Sequence, residues 1–315
     1  MAQPSNTFSS NDSVGNREDL GAIIYDVSPT ATPVLSAMER VPVTSTKHEW
    51  QVHSLTAASS SNFVIEGDDA TTDAGTATSR LYNYTGITDK VALVSGTVDV
   101  IKKAGRNSEM AFQMANRMKE IKRDVEKAML ENQAYVAGGD TTARKVAGAQ
   151  AWIKTNISKA ADATACTGDG SDIHTDGTQR ALQETFLEQV LADCWDSGGE
   201  PTMGICGKFQ KRKIAAFSGA ATKTSDGDKK KVTNSVDIYV DPLGNEIKFV
   251  PSRQAPTDVV YLFDMEHIKF GVLRDFQTSE LAKTGDSTRK QIIVEWTMEM
   301  CNEKAHGVVS DLAAS

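Results

Sequence analysis

A chain of 315 residues with 34 lysines and arginines against 42 aspartates and glutamates can hold two modest cores and, at a net charge of −8, is a poor candidate for a dedicated DNA-binding module. No apolar run reaches the roughly 18 residues of a membrane helix, and no charged and apolar secretory leader is evident, so neither a membrane contact nor secretion is expected. Cys166, Cys194, Cys206 and Cys301 are scattered without a CxxC pair, so they read as reduced cytosolic thiols and not as zinc or redox ligands.

Residues 1–20 are rich in Ser and Asn and predict an extended arm. Leu20, Ile23, Ile24 and Tyr25 suit a small helix, and Pro29 and Pro33 then punctuate the chain. Thr32 to Met38 predicts a second short helix with proline at its first position. Thr46 to Ser54 predicts a strand with Trp50 and Val52 on one side. Residues 57–77 are weakly apolar and carry an acidic cluster, Glu66, Asp68, Asp69 and Asp73. Arg80 to Ile101 turns extended again. The pattern is two extended arms around a polar tip, with too few large apolar residues for a core of its own. An isolated two-stranded ribbon is marginal in water, so this one needs something to lie on.

Ser108 to Ala137 predicts one long amphipathic helix. Met114, Met118, Ile121, Val125, Ala128 and Tyr135 fall on one face, with Asn132 interrupting the row. Lys119, Glu120, Arg123, Lys127 and Glu131 occupy the other face. Asn107 or Ser108 can cap the start and Gly138 with Gly139 can stop it, giving a rod of roughly 45 Å.

Residues 141–155 predict irregular structure and 156–177 a surface loop. Thr178 to Asp196 predicts a helix with Leu182, Phe186, Leu187, Val190, Leu191 and Cys194 as its stripe. A short strand (202–206), a basic helix (208–217) and a lysine-bearing loop (218–234) follow. Strands are expected at 236–240 and 247–250 around a tight turn, then at 259–263 and 268–273. The clearest period-two pattern runs from Ile292 to Cys301, with Ile292, Val294, Trp296, Met298 and Met300 on one side. The sum is an α+β chain.

No catalytic constellation emerges. His48 to His53 resembles HExxH with one residue too many, and an odd step on a strand separates the two rings, so two exposed histidines are expected there. Lys283-Thr284-Gly285 and the SxxK from Ser287 to Lys290 stand in the wrong order for a β-lactamase. GxSxG and GxxxxGK[ST] are absent. The acids at 66–73 lack EF-hand spacing. No cofactor, metal or catalytic residue is therefore expected.

NREDL at 16–20 with Pro29 and Pro33 resembles the N-terminal region of a family of tailed-phage major capsid proteins. HEWQ at 48–51, Glu66-Gly67 and RLYNY at 80–84 are similar to its extended loop, and KRDVE at 122–126 to its long helix. ELAKTGDS at 280–287, Glu295 and NEKAHG at 302–307 are similar to its C-terminal block, the most specific part, whereas 156–235 matches only in pattern.

The resemblance implies the Hong Kong 97-type capsid fold. It partitions the chain into an N-terminal arm (1–45), an extended loop (46–100), a peripheral domain (101–177 and 273–315, with a spine helix at 106–138) and an axial domain (178–272). It also implies an icosahedral shell of hexamers and pentamers in the virion, assembled in the bacterial cytoplasm with a portal and with scaffolding or decoration proteins, around double-stranded DNA held by weak contact. The acids Glu66, Asp68, Asp69 and Asp73 are expected to meet Lys102, Lys103 or Arg123 of an adjacent subunit. An encapsulin-like nanocompartment shell is the alternative, and a hydrolase with an unfamiliar site is a third reading.

Overall fold

The structure is a computed structural model and describes residues 30–69, 75–103, 105–217 and 238–314. The N-terminal arm before residue 30, Asp73 and the lysine-bearing loop lie outside the described residues. Two sheets and one long helix carry the fold. The first sheet has four strands in the order β1 (Glu39–Pro42), β10 (Ile268–Leu281), β11 (Ser287–Met300), β4 (Gly86–Ser95). β10 and β11 form a long antiparallel hairpin in register from Ile268 opposite Met300 to Leu281 opposite Arg289, with irregularities around Arg274. The expected inward row on β11 is realised: Ile292, Val294, Trp296, Met298 and Met300 are all buried. Its opposite face also buries Glu295 and Thr297, because side chains of the body and of the ribbon cover it.

The helix α3 (Glu109–Leu130) packs on β11 through Ile121, Val125 and Met129 and on β4 through Met110. Ser108 caps it by accepting from Ala111 N–H at 3.3 Å. It ends at Leu130 and not near Ala137, making a rod of roughly 33 Å. Tertiary partners claim the carbonyls that another turn would need. Gln133 donates its side chain to the oxygens of Ala128 and Val146, each at 3.0 Å. Tyr261 donates its hydroxyl to Leu130 O at 2.7 Å. Gly148 presses so close to Glu131 that a Cβ there would lie 1.8 Å from the carbonyl oxygen. Glu126, a carboxylate within the helix, is fully buried. It accepts from Leu35 N–H at the start of α1 (Pro33–Ala37) and from the Ser252 hydroxyl.

The second sheet has six strands in the order β5 (Ile157–Ser158), β12 (Gly307–Val309), β9 (Val260–Phe263), β6 (Met203–Cys206), β8 (Glu246–Pro251), β7 (Ile238–Val240). Its helices are α4 (Glu184–Asp196) and α5 (Lys208–Ile214). Leu187, Val190, Leu191 and Cys194 of α4 reach a second core with Leu262 and Val309. α4 begins six residues later than the periodicity suggested because the C-terminal tail captures the backbone of Arg180. Arg180 N–H donates to Asp311 O, and Ala313 N–H donates to Arg180 O, both at 2.8 Å. Residues 156–177 are not merely a surface loop either. Asn156, Ala160, Ala163, Cys166 and His174 are buried there, and Asn156 donates to the carbonyls of Lys304 and His306.

Candidate functional site

The ribbon consists of β2 (Lys47–Val52) and β3 (Ser79–Tyr84), paired antiparallel from Lys47 opposite Tyr84 to Val52 opposite Ser79. Its root is fastened to the body. The Trp50 ring lies 5.3 Å from Trp152, and Tyr135 donates its hydroxyl to that of Tyr82 at 2.9 Å. Asn83, wholly buried, donates to Met298 O at 2.8 Å and accepts from Ala147 N–H at 3.1 Å. Thr85 donates to Glu295, whose carboxylate also takes Arg144 at 2.6 Å and Arg274 at 2.8 Å. β4 then joins the first sheet. The ribbon as a whole therefore does not lack burial on its own subunit. Only the stretch 53–78 does, and all its described residues, 53–69 and 75–78, are exposed.

The tip is more apolar than its composition suggested. Phe63, Val64 and Ile65 are consecutive and 89%, 84% and 77% exposed, and Leu55 is similarly bare. A local turn, Asp68 N–H to Ile65 O at 3.1 Å, sets them beside Glu66, Asp68 and Asp69. Burying such side chains stabilises by about 1.5–3 kcal/mol each, so leaving three in water is a liability unless a partner covers them. A second bare row follows on β4, where Ile87, Val91 and Leu93 alternate outward, away from α3.

Of the expected contact residues, Glu66, Asp68 and Asp69 face solvent and Asp73 lies outside the described residues. Lys102 is exposed. Lys103 turns back to donate to Val98 O and Ile101 O, at the end of the short helix α2 (Gly96–Val100). Arg123 is half-buried on α3, and its Nε has no partner among the described residues. Among the described residues none of these acids pairs with any of these cations within the chain. The run Phe63-Val64-Ile65 was the signal that residue counting over 57–77 diluted.

The residues that looked like chemistry are absorbed structurally. His48 is half-buried, not exposed, with Nε2 2.9 Å from Glu299, and His53 lies just beyond β2. The His48 contact holds the Glu299 carboxyl below its usual range. Burial pushes the thiols up, Cys166 and Cys206 to about 11 and Cys194 to about 12, which removes their nucleophilic form at neutral pH. Sequence reasoning missed one convergence of donors, His174, Asp176 and Asp311, because 135 positions separate the last two.

The description "SU10 major capsid protein" fits residues 3–313. The chain belongs to the SU10 major capsid protein family. It is 26% identical over 347 residues to the major capsid protein of Escherichia phage Phieco32, covering 98% of this chain and 97% of that protein. Among solved structures, the capsid of cyanophage A-1(L) superposes with a TM-score of 0.63 at 12% identity, covering 98% of this chain and 99% of that one. The holo-SrpI encapsulin of Synechococcus elongatus PCC 7942 reaches 0.58 at 9% identity over 95% and 93%. The fold is therefore the Hong Kong 97-like capsid fold, and the encapsulin shares that fold alone. As a family member, the chain is a major capsid protein of a tailed phage, a structural subunit that assembles with copies of itself in the virion.

Proposed function

We propose that residues 53–78 act as a clasp seated on a neighbouring subunit, with Phe63, Val64 and Ile65 as its anchor and Glu66, Asp68 and Asp69 as an acidic rim that meets Lys102 or Arg123 of that neighbour. The bare apolar triplet on a firmly rooted ribbon carries this reading. Obligate interfaces commonly bury over about 2,000 Å² in total, more than one tip supplies. The outward row Ile87, Val91 and Leu93 and the N-terminal arm add further contacts in the same reading. The same reading keeps the partition into arm, extended loop, peripheral and axial domains, except that β4 and the start of β10 at Ile268 belong to the first sheet and β5 and β12 to the second. Assembly proceeds in the host cytoplasm with portal and scaffolding or decoration proteins. The subunit does no catalysis, and its net charge of −8 keeps contact with packaged DNA weak.

A double variant, Phe63→Ser with Ile65→Ser, tests the clasp. It should fold with an unchanged unfolding midpoint yet stay as small oligomers under negative stain and sedimentation. Shells of normal yield and size from that variant would remove the clasp.

A further inference from the structure

His174, Asp176 and Asp311 converge at the seam between the 156–177 segment and the C-terminal tail. His174 and Asp311 are almost wholly enclosed, whereas the Asp176 side chain is 63% exposed. His174 Nε2 lies 3.4 Å from Asp311 Oδ1 and 4.0 Å from Asp176 Oδ1, and the three atoms all lie within 4.8 Å of one another. The Ser310 hydroxyl is 3.3 Å from the same nitrogen.

The two His174–carboxylate separations exceed the about 2.7–3.2 Å that hydrogen bonds favour, whereas the Ser310 hydroxyl donates to Asp311 Oδ2 at 3.1 Å. They suit donors around a shared ion. Metal–nitrogen and metal–oxygen distances of about 2.0–2.2 Å put neighbouring tetrahedral donors about 3.3–3.6 Å apart. The other ring nitrogen, Nδ1, is enclosed and has no hydrogen-bond partner among the described residues, so the polar contacts of this buried imidazole are those at Nε2.

Charge argues the same way. Among the described residues neither Asp176 nor Asp311 forms an ion pair with a lysine or arginine; Arg180 feels the Asp311 charge, but its guanidinium donates to the Ser158 hydroxyl at 2.9 Å and to Ser310 O at 3.4 Å. The seam is a partly enclosed, net-negative site whose only titratable donor besides carboxylates is an imidazole. Asp311 is held in place by Gly177 N–H at 2.8 Å and Ala160 N–H at 2.9 Å, and it is the sole non-glycine described residue with positive φ, 58°.

We propose that His174, Asp176 and Asp311 bind one divalent transition cation of the zinc class, water completing its shell, and that the ion clamps the C-terminal tail to the 156–177 segment. One imidazole and two carboxylates form a nitrogen–oxygen set suited to such an ion. The clamp would stiffen the edge of the second sheet where β5 and β12 meet.

The test uses the full-length protein stripped with EDTA and then titrated with zinc chloride, followed by elemental analysis and thermal unfolding. One zinc per chain and a higher unfolding midpoint are expected. Asp176→Asn, at an exposed position, should fold normally and bind at least tenfold more weakly. Undiminished zinc binding by Asp176→Asn overturns the site, as does a wild-type midpoint that ignores zinc or answers equally to magnesium and calcium. In those cases the seam is a hydrogen-bonded knot, and Asp311→Asn would lower the midpoint with no dependence on metal.

Discussion

The ribbon's root and its tip lie on the same two chain segments and have opposite fates. At the root, Trp50 meets Trp152, Asn83 satisfies two backbone groups of the body, and Thr85 feeds a carboxylate held by two arginines. At the tip, the hydrogen bonds of residues 53–69 with other described residues join only near neighbours, and the largest apolar side chains stand in water. The difference lies in where the complementary surface is found. The root finds it on its own subunit. The tip does not, and in the proposed clasp its free energy is realised only on assembly. In that reading one ribbon divides its residues between folding and association.

Substitutions can break that division, beginning with the largest effect. Trp152→Ala removes the root's seat from a fully buried position and should cost about 3–5 kcal/mol in denaturant unfolding. A cost no greater than that of a tip substitution would erase the distinction between the regions.

Next comes pH. His306 is buried and neutral, accepting from Asp264 N–H at Nδ1 and facing His267 O with Nε2, and burial lowers its pKa from 6.5 to about 4. The unfolded chain therefore takes up this proton first. Stability is full above about pH 6.5 and falls as pH drops toward 4, by up to about 3 kcal/mol. His306→Asn should flatten that slope while leaving assembly at neutral pH intact. An unchanged slope would place the titration elsewhere.

Glu126 works in the opposite sense. Burial holds its carboxyl above the ordinary 4.5, against the bonds from Leu35 and Ser252, which favour the charged form. Its contribution is present below about pH 4.5 and is lost as pH rises through the folded value. Glu126→Gln keeps an acceptor for Leu35 N–H, so at neutral pH it should be at least as stable as the parent; calorimetry giving a clear loss would mean the charge itself is needed. The smallest effect belongs to the tip's acids. Asp68→Asn with Asp69→Asn should shift unfolding by less than about 0.5 kcal/mol yet reduce the salt dependence of assembly, read by light scattering. Identical salt curves would leave the anchor as the tip's only contribution.

Much of this was legible beforehand. The period-two row on β11, the stripe of α4 and the Ser108 cap follow from local patterning, and the capsid-like segments pointed to the fold and family. The end of α3 was not legible, because Gln133, Tyr261 and Gly148 act there from distant positions. The late start of α4 has the same cause, with the tail at 311–313 occupying Arg180. Within the candidate site the acids were visible as a cluster, while Phe63 to Ile65 were diluted by their small polar neighbours.

By itself the amino-acid sequence determined the periodic elements, the acidic balance and an extended ribbon without a core of its own, because those properties depend on residues close along the chain. Tertiary structure alone decided where the helices stop, which half of the ribbon is seated, and that His174, Asp176 and Asp311 meet, because each depends on partners far away in the chain, and local patterning carries no record of which distant groups will satisfy a given carbonyl, ring or carboxylate.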